Sequence, residues 1–561
     1  MPPRRAQAQE NRLIFVGGPA LTERTGPVRS KLLQQAHRQK KSQQRQNAAF
    51  ERELLTRGER SDICTCNEKP LIPPSQAPGI PEDTRYRPIM PKMSALIGTT
   101  PCSVCGKSLA SSSQVVPWDI GAGAFDPMIP IDETTSQLKI QEILYFACTS
   151  IWPYFRPLTY TSKCYQSWVF PCDNKVRLYA VLWAASYHRD VLNVTYGGPT
   201  YQAGSKDQLT LKGLTLKALR EEVTTYTGET PIDSIIMCIL YLAVNETVDA
   251  RICRDPSPFN PPFTYLHALD IYGSRDYHPI HWSIIQDLLA RYGGVEALQD
   301  SALAWLLSLS DIMGAANTLQ KPIYPCLSIY GKRMSLEPPL ILFKPYASHF
   351  ALENAGSGFD ELLSLDPPVQ QGIVDTFSQV GQLSCILQYY TITSLSPEVL
   401  DVLGDCRNYV HHGLFSSPDT NSPTEEILQH CDRGPEAKEL SREIYLTCRL
   451  AVFLYATHVT FPLPRSAVLR SQLLQQLCPK VDLLAGRNAP RRLLLWCVSV
   501  VLVASDLKSD ETILDLFKRL CYELEVEGLD DLLVLLREFA WVDKAVEHQY
   551  ERLSVIMTKN K

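Results

Sequence analysis

The sequence predicts an all-α protein, in which a large multi-helix domain follows a disordered basic arm and a proline-rich linker. From about Thr135 onward, apolar residues recur at the three- and four-residue spacing of buried helices, and Asp, Ser or Pro precedes several segments. No stretch of useful length alternates apolar and polar residues as a strand would. These patterns divide the 561 residues into an arm at 1–60, a linker at 61–134 and a helical domain at 135–561, long enough to bury its own core.

The arm differs from the rest of the chain in charge. Residues 1–60 contain thirteen Lys or Arg and five Asp or Glu, a sum of +8; the whole chain sums to −5, so residues 61–561 sum to −13. Between Val28 and Arg57 there is no Pro or Gly, and good helix formers dominate. Because few positions are apolar, we expect at most a marginal helix until a partner orders it. The candidate contact residues are Arg29, Lys31, Arg38, Lys40, Lys41 and Arg45.

Three roles are open for these cations. They can bind nucleic-acid phosphates, act as a nuclear import signal, or remain solvated as a tail. Composition alone favours the solvated tail. Phosphate contacts, where they form, would position the protein on DNA without selecting a sequence.

The linker contains two closely spaced cysteine pairs. Eleven prolines fall between residues 61 and 135, which predicts little regular structure. Cys64 and Cys66, together with Cys102 and Cys105, could offer four thiolates to zinc, since C-x-x-C-G is the pattern of a zinc knuckle. The C-x-C spacing is less usual and a proline-rich stretch separates the pairs, so two unligated pairs are the favoured interpretation and no cofactor is predicted. The odd total of seventeen cysteines, mostly scattered singly, is typical of reduced thiols inside a cell.

Residues 281–311 predict two helices around a glycine pair. The first helix presents an apolar stripe from Ile284 to Tyr292. Gly293 and Gly294 should end it, because glycine adopts the left-handed conformation without a Cβ penalty. Asp300 is the favoured N-cap of the second helix, with Ser301 as the other candidate. That helix is apolar nearly all round and should be buried.

Further helices are predicted along the domain, and their tryptophans are expected to fill the core. The run Leu493–Ala504 is too short to span a bilayer and predicts a buried helix, and the N-terminus lacks the apolar region of a secretory signal, so no membrane association is predicted. The predicted helices are 137–152, 175–191, 209–226, 232–245, 283–292, 301–318, 368–387, 397–412, 435–458, 465–477, 491–504, 511–525 and 530–557.

The sequence lacks the common catalytic motifs. Residues 98–108 place seven residues between two glycines where a P-loop has four, and no nucleophile elbow or H-E-x-x-H occurs. His278 and His281 have no ligand partner at a suitable spacing, and the side chains of His411 and His412 should diverge on a helix. The protein is therefore predicted not to be an enzyme.

A family resemblance adds to these patterns. Ser283–Leu298 resembles the signature of the fungal-specific transcription factor domain family, in which a helix ends at a glycine pair and a second helix follows with an Asp near its end, here Asp311. Lys321-Pro322 after that helix and the segments Phe170–Asp190 and Leu214–Glu246 are also similar to the family. The resemblance covers about 400 residues.

The resemblance implies an all-helical regulatory domain of a fungal transcription regulator or co-regulator, acting in the nucleus and not as an enzyme. The implied partners are the transcription machinery or other regulators, with a homodimer as one compatible arrangement and a helix-lined cavity as a place for a small effector. Typical members carry a six-cysteine DNA-binding cluster, and its C-x2-C-x6-C pattern does not occur in this sequence. DNA contact would then fall to the basic arm. The alternative is a non-nuclear helical scaffold without catalytic activity.

Overall fold

A computed structural model describes residues 140–169, 174–196, 204–228, 231–246, 252–346, 354–507 and 511–558. In these ranges the regular structure is helical, and β-pairing is limited to two isolated bridges, Leu327 with Arg333 and Val369 with Leu428. The all-α prediction is confirmed. The α-helices of nine or more residues are α1 (Lys175–Tyr196), α2 (Lys206–Thr225), α3 (Asp233–Asn245), α4 (Pro279–Tyr292), α5 (Ser301–Thr318), α6 (Gln371–Tyr390), α7 (Pro397–Ser416), α8 (Pro435–Ala456), α9 (Ala467–Ala485), α10 (Arg491–Ala504), α11 (Glu511–Glu523), α12 (Leu529–Arg537) and α13 (Tyr550–Thr558).

The long helices pack in two groups that share a core. In the first group α1 packs on α2 and α3, and α3 packs on α4 and α5. In the second, α8 packs on α9 and α10, and α10 packs on α11. Helix α7 contacts α5 of the first group and α8 of the second, and so connects the groups. Buried apolar side chains from both groups form one continuous core within the described residues.

The glycine-pair hairpin has the predicted construction. Gly293 has φ +106°, and the N–H groups of Gly293 and Gly294 both donate to the carbonyl of Leu289, at 3.1 and 2.7 Å. The Asp300 carboxylate accepts from the N–H groups of Ala302 and Leu303, so Asp300 rather than Ser301 caps α5. Fourteen of the eighteen α5 residues are buried, as its apolar composition predicts.

Short helical segments precede α1. Ile140–Phe146 continues through a π-helical turn, Ala147–Ile151, into Trp152–Phe155, and Tyr160–Cys164 continues into a second π-turn, Tyr165–Val169. Aromatic side chains from these segments line the cavity described below.

The prediction of one helix over 530–557 is wrong. Helix α12 ends at Arg537, and a short helix at Asp543–Val546 and then α13 follow. The intervening Phe539–Val542 are all buried, at 3% exposure or less. Tertiary contacts fix this irregular segment, and the Ala540 carbonyl accepts from Nε1 of Trp496 at 3.0 Å instead of continuing a helical ladder.

Helix α10 agrees with its predicted bounds and is enclosed, with twelve of its fourteen residues buried. Within the described residues, none of the helices has both the length and the apolar character that crossing a membrane requires.

Candidate functional site: an aromatic cavity in the helical domain

The site residues predicted from the sequence all precede residue 140 and lie outside the described residues. They are the arm cations Arg29, Lys31, Arg38, Lys40, Lys41 and Arg45 and the cysteines Cys64, Cys66, Cys102 and Cys105. Their roles remain predictions. In the described ranges, no group of three or more His, Cys, Asp or Glu side chains is arranged to hold a metal ion.

A cavity of about 60 Å³ lies between α1, α3, α5 and the segment before α1. No charged side chain lines it, and most of its wall is aromatic or aliphatic. The lining residues are Ile151, Trp152, Phe155, Tyr160, Trp168, Val181, Ala184, Ala185, Leu240, Tyr241, Val244, Asn245, Tyr272, Tyr277, Leu306, Leu309, Ser310 and Met313.

Residue size explains why space remains. On α1 the wall is formed by Ala184 and Ala185, whose single methyl groups reach only a short way inward. Large rings stand elsewhere around the cavity and pack mainly edge to face. The Tyr160 and Trp168 centroids are 5.8 Å apart at 90°, and those of Trp152 and Trp168 are 6.0 Å apart at 72°. Such rings are rigid and support one another, so the wall does not collapse onto the small α1 residues.

The polar atoms of the lining residues fall into two classes. Some are satisfied: the Tyr277 hydroxyl donates to the Ser310 carbonyl at 2.9 Å, and the Tyr272 hydroxyl pairs with Nδ1 of His188 at 2.8 Å. Others have no hydrogen-bond partner in the protein, namely the Tyr160 hydroxyl and Oδ1 of Asn245. The Tyr160 hydroxyl lies near the Cys164 thiol, but a thiol is a weak hydrogen-bonding group and leaves most of this capacity unmet.

The hairpin holds one side of the cavity wall. The Asp300 carboxylate, which caps α5, also accepts from Nε1 of Trp168 at 2.5 Å. The N–H of Asp300 in turn donates to Oδ1 of Asp233 at the start of α3, at 2.6 Å. Burial raises the pKa of Asp300. One residue at the start of α5 thus fixes a cavity tryptophan and couples α5 to α3.

A buried polar cluster lies behind the cavity wall on α7. Arg407 is 1% exposed, and its Nη2 donates to the Leu266 carbonyl at 2.7 Å while Nε and Nη1 have no partner. The amide of Asn408 pairs with Nδ1 of His267 at 2.9 Å, and the His267 ring packs against Gly404, where a side chain would overlap it. The same ring contacts Trp305 at 5.2 Å, so the cluster supports the aromatic wall from behind.

The sequence carries a signal for this cluster. Arg407 continues the spacing of Leu403, Val410 and Leu414 along the buried face of α7. A cation in an apolar helical register is uncommon, because burying it removes its hydration. By contrast, the cavity has no sequence signal, because it arises where four separate segments meet.

The histidine pairs behave largely as expected. His411 pairs with the Arg407 carbonyl and the Thr460 hydroxyl, whereas His412 reaches the Tyr324 carbonyl, so the adjacent rings diverge. His281 Nε2 lies 3.2 Å from a Glu246 carboxylate oxygen, a partner that its sequence spacing did not indicate.

Comparison with known families decides the class of protein. The family model described as "fungal specific transcription factor domain" matches residues 144–539. The chain belongs to this family. The matched region includes the glycine-pair hairpin, the cavity and the α7 cluster, and comparison with curated proteins and with solved structures gave no significant match. The protein is therefore a fungal transcription regulator with an all-helical domain.

Proposed function

We propose that the protein acts in the nucleus as a transcription regulator or co-regulator. Its helical domain binds the transcription machinery or other regulators, and its basic arm either contacts DNA phosphates or directs nuclear import. The observation that carries this proposal is the family match over residues 144–539, which spans nearly the whole described domain.

Charge supports assigning DNA contact to the arm. Residues 61–561 sum to −13, and a surface of that sign repels phosphates, whereas residues 1–60 sum to +8. Each arm cation that touches a phosphate would release counterions, so the affinity would fall steeply with salt and would depend little on sequence.

A catalytic role is not part of the proposal. Burial lowers the pKa of His188, His411 and His458 to about 3, so these rings are poor proton donors and acceptors near neutral pH. Burial also raises the pKa of Cys326 and Cys521 to about 12, which leaves little thiolate for nucleophilic attack.

The test follows tagged full-length protein in fungal cells. Changing Arg38, Lys40, Lys41 and Arg45 together to Ala should reduce nuclear or chromatin-bound signal at least several-fold. The matched control removes four exposed cations of the helical domain and should leave the distribution unchanged; these are Lys206, Lys332, Lys344 and Arg487. Wild-type protein that never enters the nucleus would contradict the proposal and favour the scaffold alternative.

A second experiment separates nuclear import from DNA contact. An unrelated strong import signal is fused to the fourfold arm variant. Recovered chromatin association assigns the arm to import, and a nuclear but unbound protein assigns it to DNA. In solution, loss of four phosphate contacts would reduce the slope of log affinity against log salt by about 3 to 4.

A further inference from the structure

We infer that Ser422 is a phosphorylation site for a protein kinase that selects serine followed by proline, and that Lys321 receives the phosphate. Ser422 lies in the loop that joins α7 to α8, and Pro423 follows it. In the transfer, Oγ of Ser422 bonds to the γ-phosphorus of ATP, the bond from that phosphorus to the bridging β-phosphate oxygen breaks, and ADP leaves. The hydroxyl proton passes to a carboxylate of the kinase. This inference concerns the helical domain alone and does not depend on where in the cell the protein acts.

The described residues contain four serine–proline pairs, which differ in how firmly the structure holds them. The pairs begin at Ser257, Ser396, Ser417 and Ser422. Ser417 is itself buried, and two buried residues directly follow Ser257. Ser396 caps the twenty-residue helix α7, where its hydroxyl oxygen accepts from a backbone N–H at 3.4 Å. Ser422 differs from these three, because the residues on either side of it are exposed and no long helix begins there.

The turn that contains Ser422 can open at low cost. Residues 419–423 contain no buried side chain. Polar bonds hold the turn: the Ser422 hydroxyl accepts from the Asp419 N–H at 3.0 Å and donates to the Asp419 carboxylate at 3.3 Å, and the Ser422 N–H donates to the Asp419 carbonyl at 3.1 Å. A segment with few buried apolar contacts opens locally without unfolding the domain. The hydroxyl can therefore reach the active site of a kinase.

Three cations from distant parts of the sequence contact this loop. Nζ of Lys321 lies 3.5 Å from the Ser422 hydroxyl oxygen. From α8, Arg442 donates to a loop carbonyl at 2.6 Å and Arg449 donates to a loop hydroxyl at 3.1 Å. Phosphate oxygens accept strong, charge-assisted hydrogen bonds from Lys and Arg, so a phosphoserine beside such cations gains new bonds. Lys321 is the receiver, because its ammonium group already contacts the oxygen that would carry the phosphate.

Acidic groups near the loop oppose the phosphate. Asp419 belongs to the turn itself, and the short helix that follows adds two exposed acids, Glu425 and Glu426. Partial burial would raise the pKa of Asp419, but a backbone N–H and the charge of Lys321 hold it below its usual value. Lys321 therefore acts on the turn as it stands. Phosphorylation removes the hydroxyl that donates to Asp419, and the phosphate, with a charge of about −1.5 to −2, competes with Asp419 for Lys321.

The place of the site in the fold gives the modification a means to act. Lys321 comes just after α5, which belongs to the first group of helices, and the loop leads into α8, which belongs to the second. A phosphate on Ser422 that binds Lys321 therefore ties the two groups together at their junction. A phosphate placed opposite cations commonly orders a loop or docks one part of a protein on another in this way.

The first experiment treats the folded full-length protein with a purified mitogen-activated protein kinase, which selects serine before proline, and Mg²⁺-ATP. Peptide mass spectrometry then gives the occupancy of each site. We expect the occupancy of Ser422 to exceed that of Ser257, Ser396 and Ser417 several-fold. An unmodified Ser422, or an occupancy no higher than that of Ser396, would overturn the inference.

Two variants confirm the position of the phosphate. Pro423→Ala keeps the hydroxyl but removes the residue that the kinase selects, so most of the modification should be lost. Thr424→Ala is the matched control, because it removes a neighbouring hydroxyl and keeps Ser422-Pro423, and its modification should equal that of wild type. Loss of the phosphate in Thr424→Ala would place it on Thr424 and overturn the assignment. Circular dichroism and a thermal melt establish that each variant is folded.

The second experiment tests whether Lys321 receives the phosphate. Phosphorus NMR follows the second pKa of the Ser422 phosphate, whose resonance is identified by its loss in Ser422→Ala. A free phosphoserine has a second pKa of about 6, and a neighbouring cation lowers it while a neighbouring carboxylate raises it. We expect a value below 6 in wild type, and Lys321→Ala should raise it by roughly 0.5. Lys344→Ala removes an exposed cation elsewhere and should leave it unchanged. A value at or above 6 that Lys321→Ala does not alter would overturn the role of Lys321.

Discussion

The cavity region and the C-terminal core are built from the same kind of helix but are packed to different degrees. The cavity region comprises α1, α3 and α5 with residues 151–168, and the C-terminal core comprises α6, α8 and α10 with residues 538–542. In the C-terminal core, a side chain at Gly381 would overlap the Phe539 carbonyl, and Nε1 of Trp496 donates to the Ala540 carbonyl at 3.0 Å. In the cavity region, about 60 Å³ stays open.

This difference in packing determines how each region contributes to the stability of the fold. A close-packed core gives stability and tolerates little change in volume. A region with an unfilled volume gives up some stability, because the atoms that line it lack contacts on one side. The difference arises from residue choice, because α1 places Ala184 and Ala185 opposite large rings, whereas α10 fills its surroundings with Leu, Val and Trp.

The largest expected effect is at Gly381. Gly381→Ala should lower the free energy of unfolding by about 3 kcal/mol, because the new methyl group meets the backbone of Phe539 and Gly356 rather than a flexible side chain. Gly372→Ala on the same helix has open space around it and should be neutral or stabilising by up to about 1 kcal/mol. Urea unfolding measures both, and equal effects would contradict close packing at Gly381.

The second largest expected effect is the dependence of the unfolding free energy on pH. Burial lowers the pKa of His188, His411 and His458 from 6.5 to about 3, so the unfolded chain binds more protons below about pH 6.5 and stability falls as the pH decreases. Burial raises the pKa of Asp270 and Asp311 from 3.8 to about 6, so between about pH 6 and 4 the folded state binds more protons and this contribution rises as the pH decreases.

As the pH decreases, the stability lost through the three histidines should exceed the stability gained through the two carboxyls. We expect the unfolding free energy to fall by about 2 kcal/mol from pH 6.5 to pH 5. Asp311→Asn removes one carboxyl that adds stability as the pH decreases. The unfolding free energy should then fall by about 1 kcal/mol more over the same pH range. Urea titrations at several pH values measure the slope, and a flat profile or a shallower one in Asp311→Asn would show that these groups are not buried as described.

A matched pair of alanines sharpens the comparison of packing. Ala451→Val in α8, at 0% exposure in the C-terminal core, should cost about 1–2 kcal/mol through overpacking. Ala185→Val adds the same two methyl groups beside the cavity and should change stability by less than about 0.5 kcal/mol, because the space is already open. Equal losses in thermal melts would mean that the cavity region is as tightly packed as the core.

Substitution of the first glycine in the glycine pair should have a smaller effect on the unfolding free energy. Gly293→Val should cost about 1 kcal/mol or more, because φ is +106° and a β-branched residue is strained there. Gly486→Ala follows α9 with an ordinary negative φ and open space, and serves as the control with little expected change. A melt of Gly293→Val that matches wild type would contradict the left-handed helix end.

Local patterns in the sequence were sufficient for much of the fold. The bounds of α5 and α10, the helix stop at Gly293 and the cap at Asp300 follow from apolar spacing and from the conformational preferences of single residues. The break after Arg537 did not follow, because it depends on tertiary burial of Phe539 against distant helices.

The cavity could not be predicted from local sequence patterns either, because it also depends on tertiary contacts. Tyr160 and Asn245 are 85 positions apart, and no short-range pattern indicates that both residues line one cavity. Charge and composition indicate the arm cations, and the described residues begin after them. The cellular and DNA-binding experiments described above test their role.

The most direct test of the contrast between the two regions compares two buried tyrosines. Tyr445 is 0% exposed and its hydroxyl donates to the Pro418 carbonyl at 2.6 Å, whereas Tyr160 is 1% exposed and its hydroxyl has only the weakly hydrogen-bonding Cys164 thiol beside it. In urea unfolding, Tyr445→Phe should cost about 1 kcal/mol, and Tyr160→Phe should cost clearly less or be neutral. A loss in Tyr160→Phe equal to that in Tyr445→Phe would contradict the account.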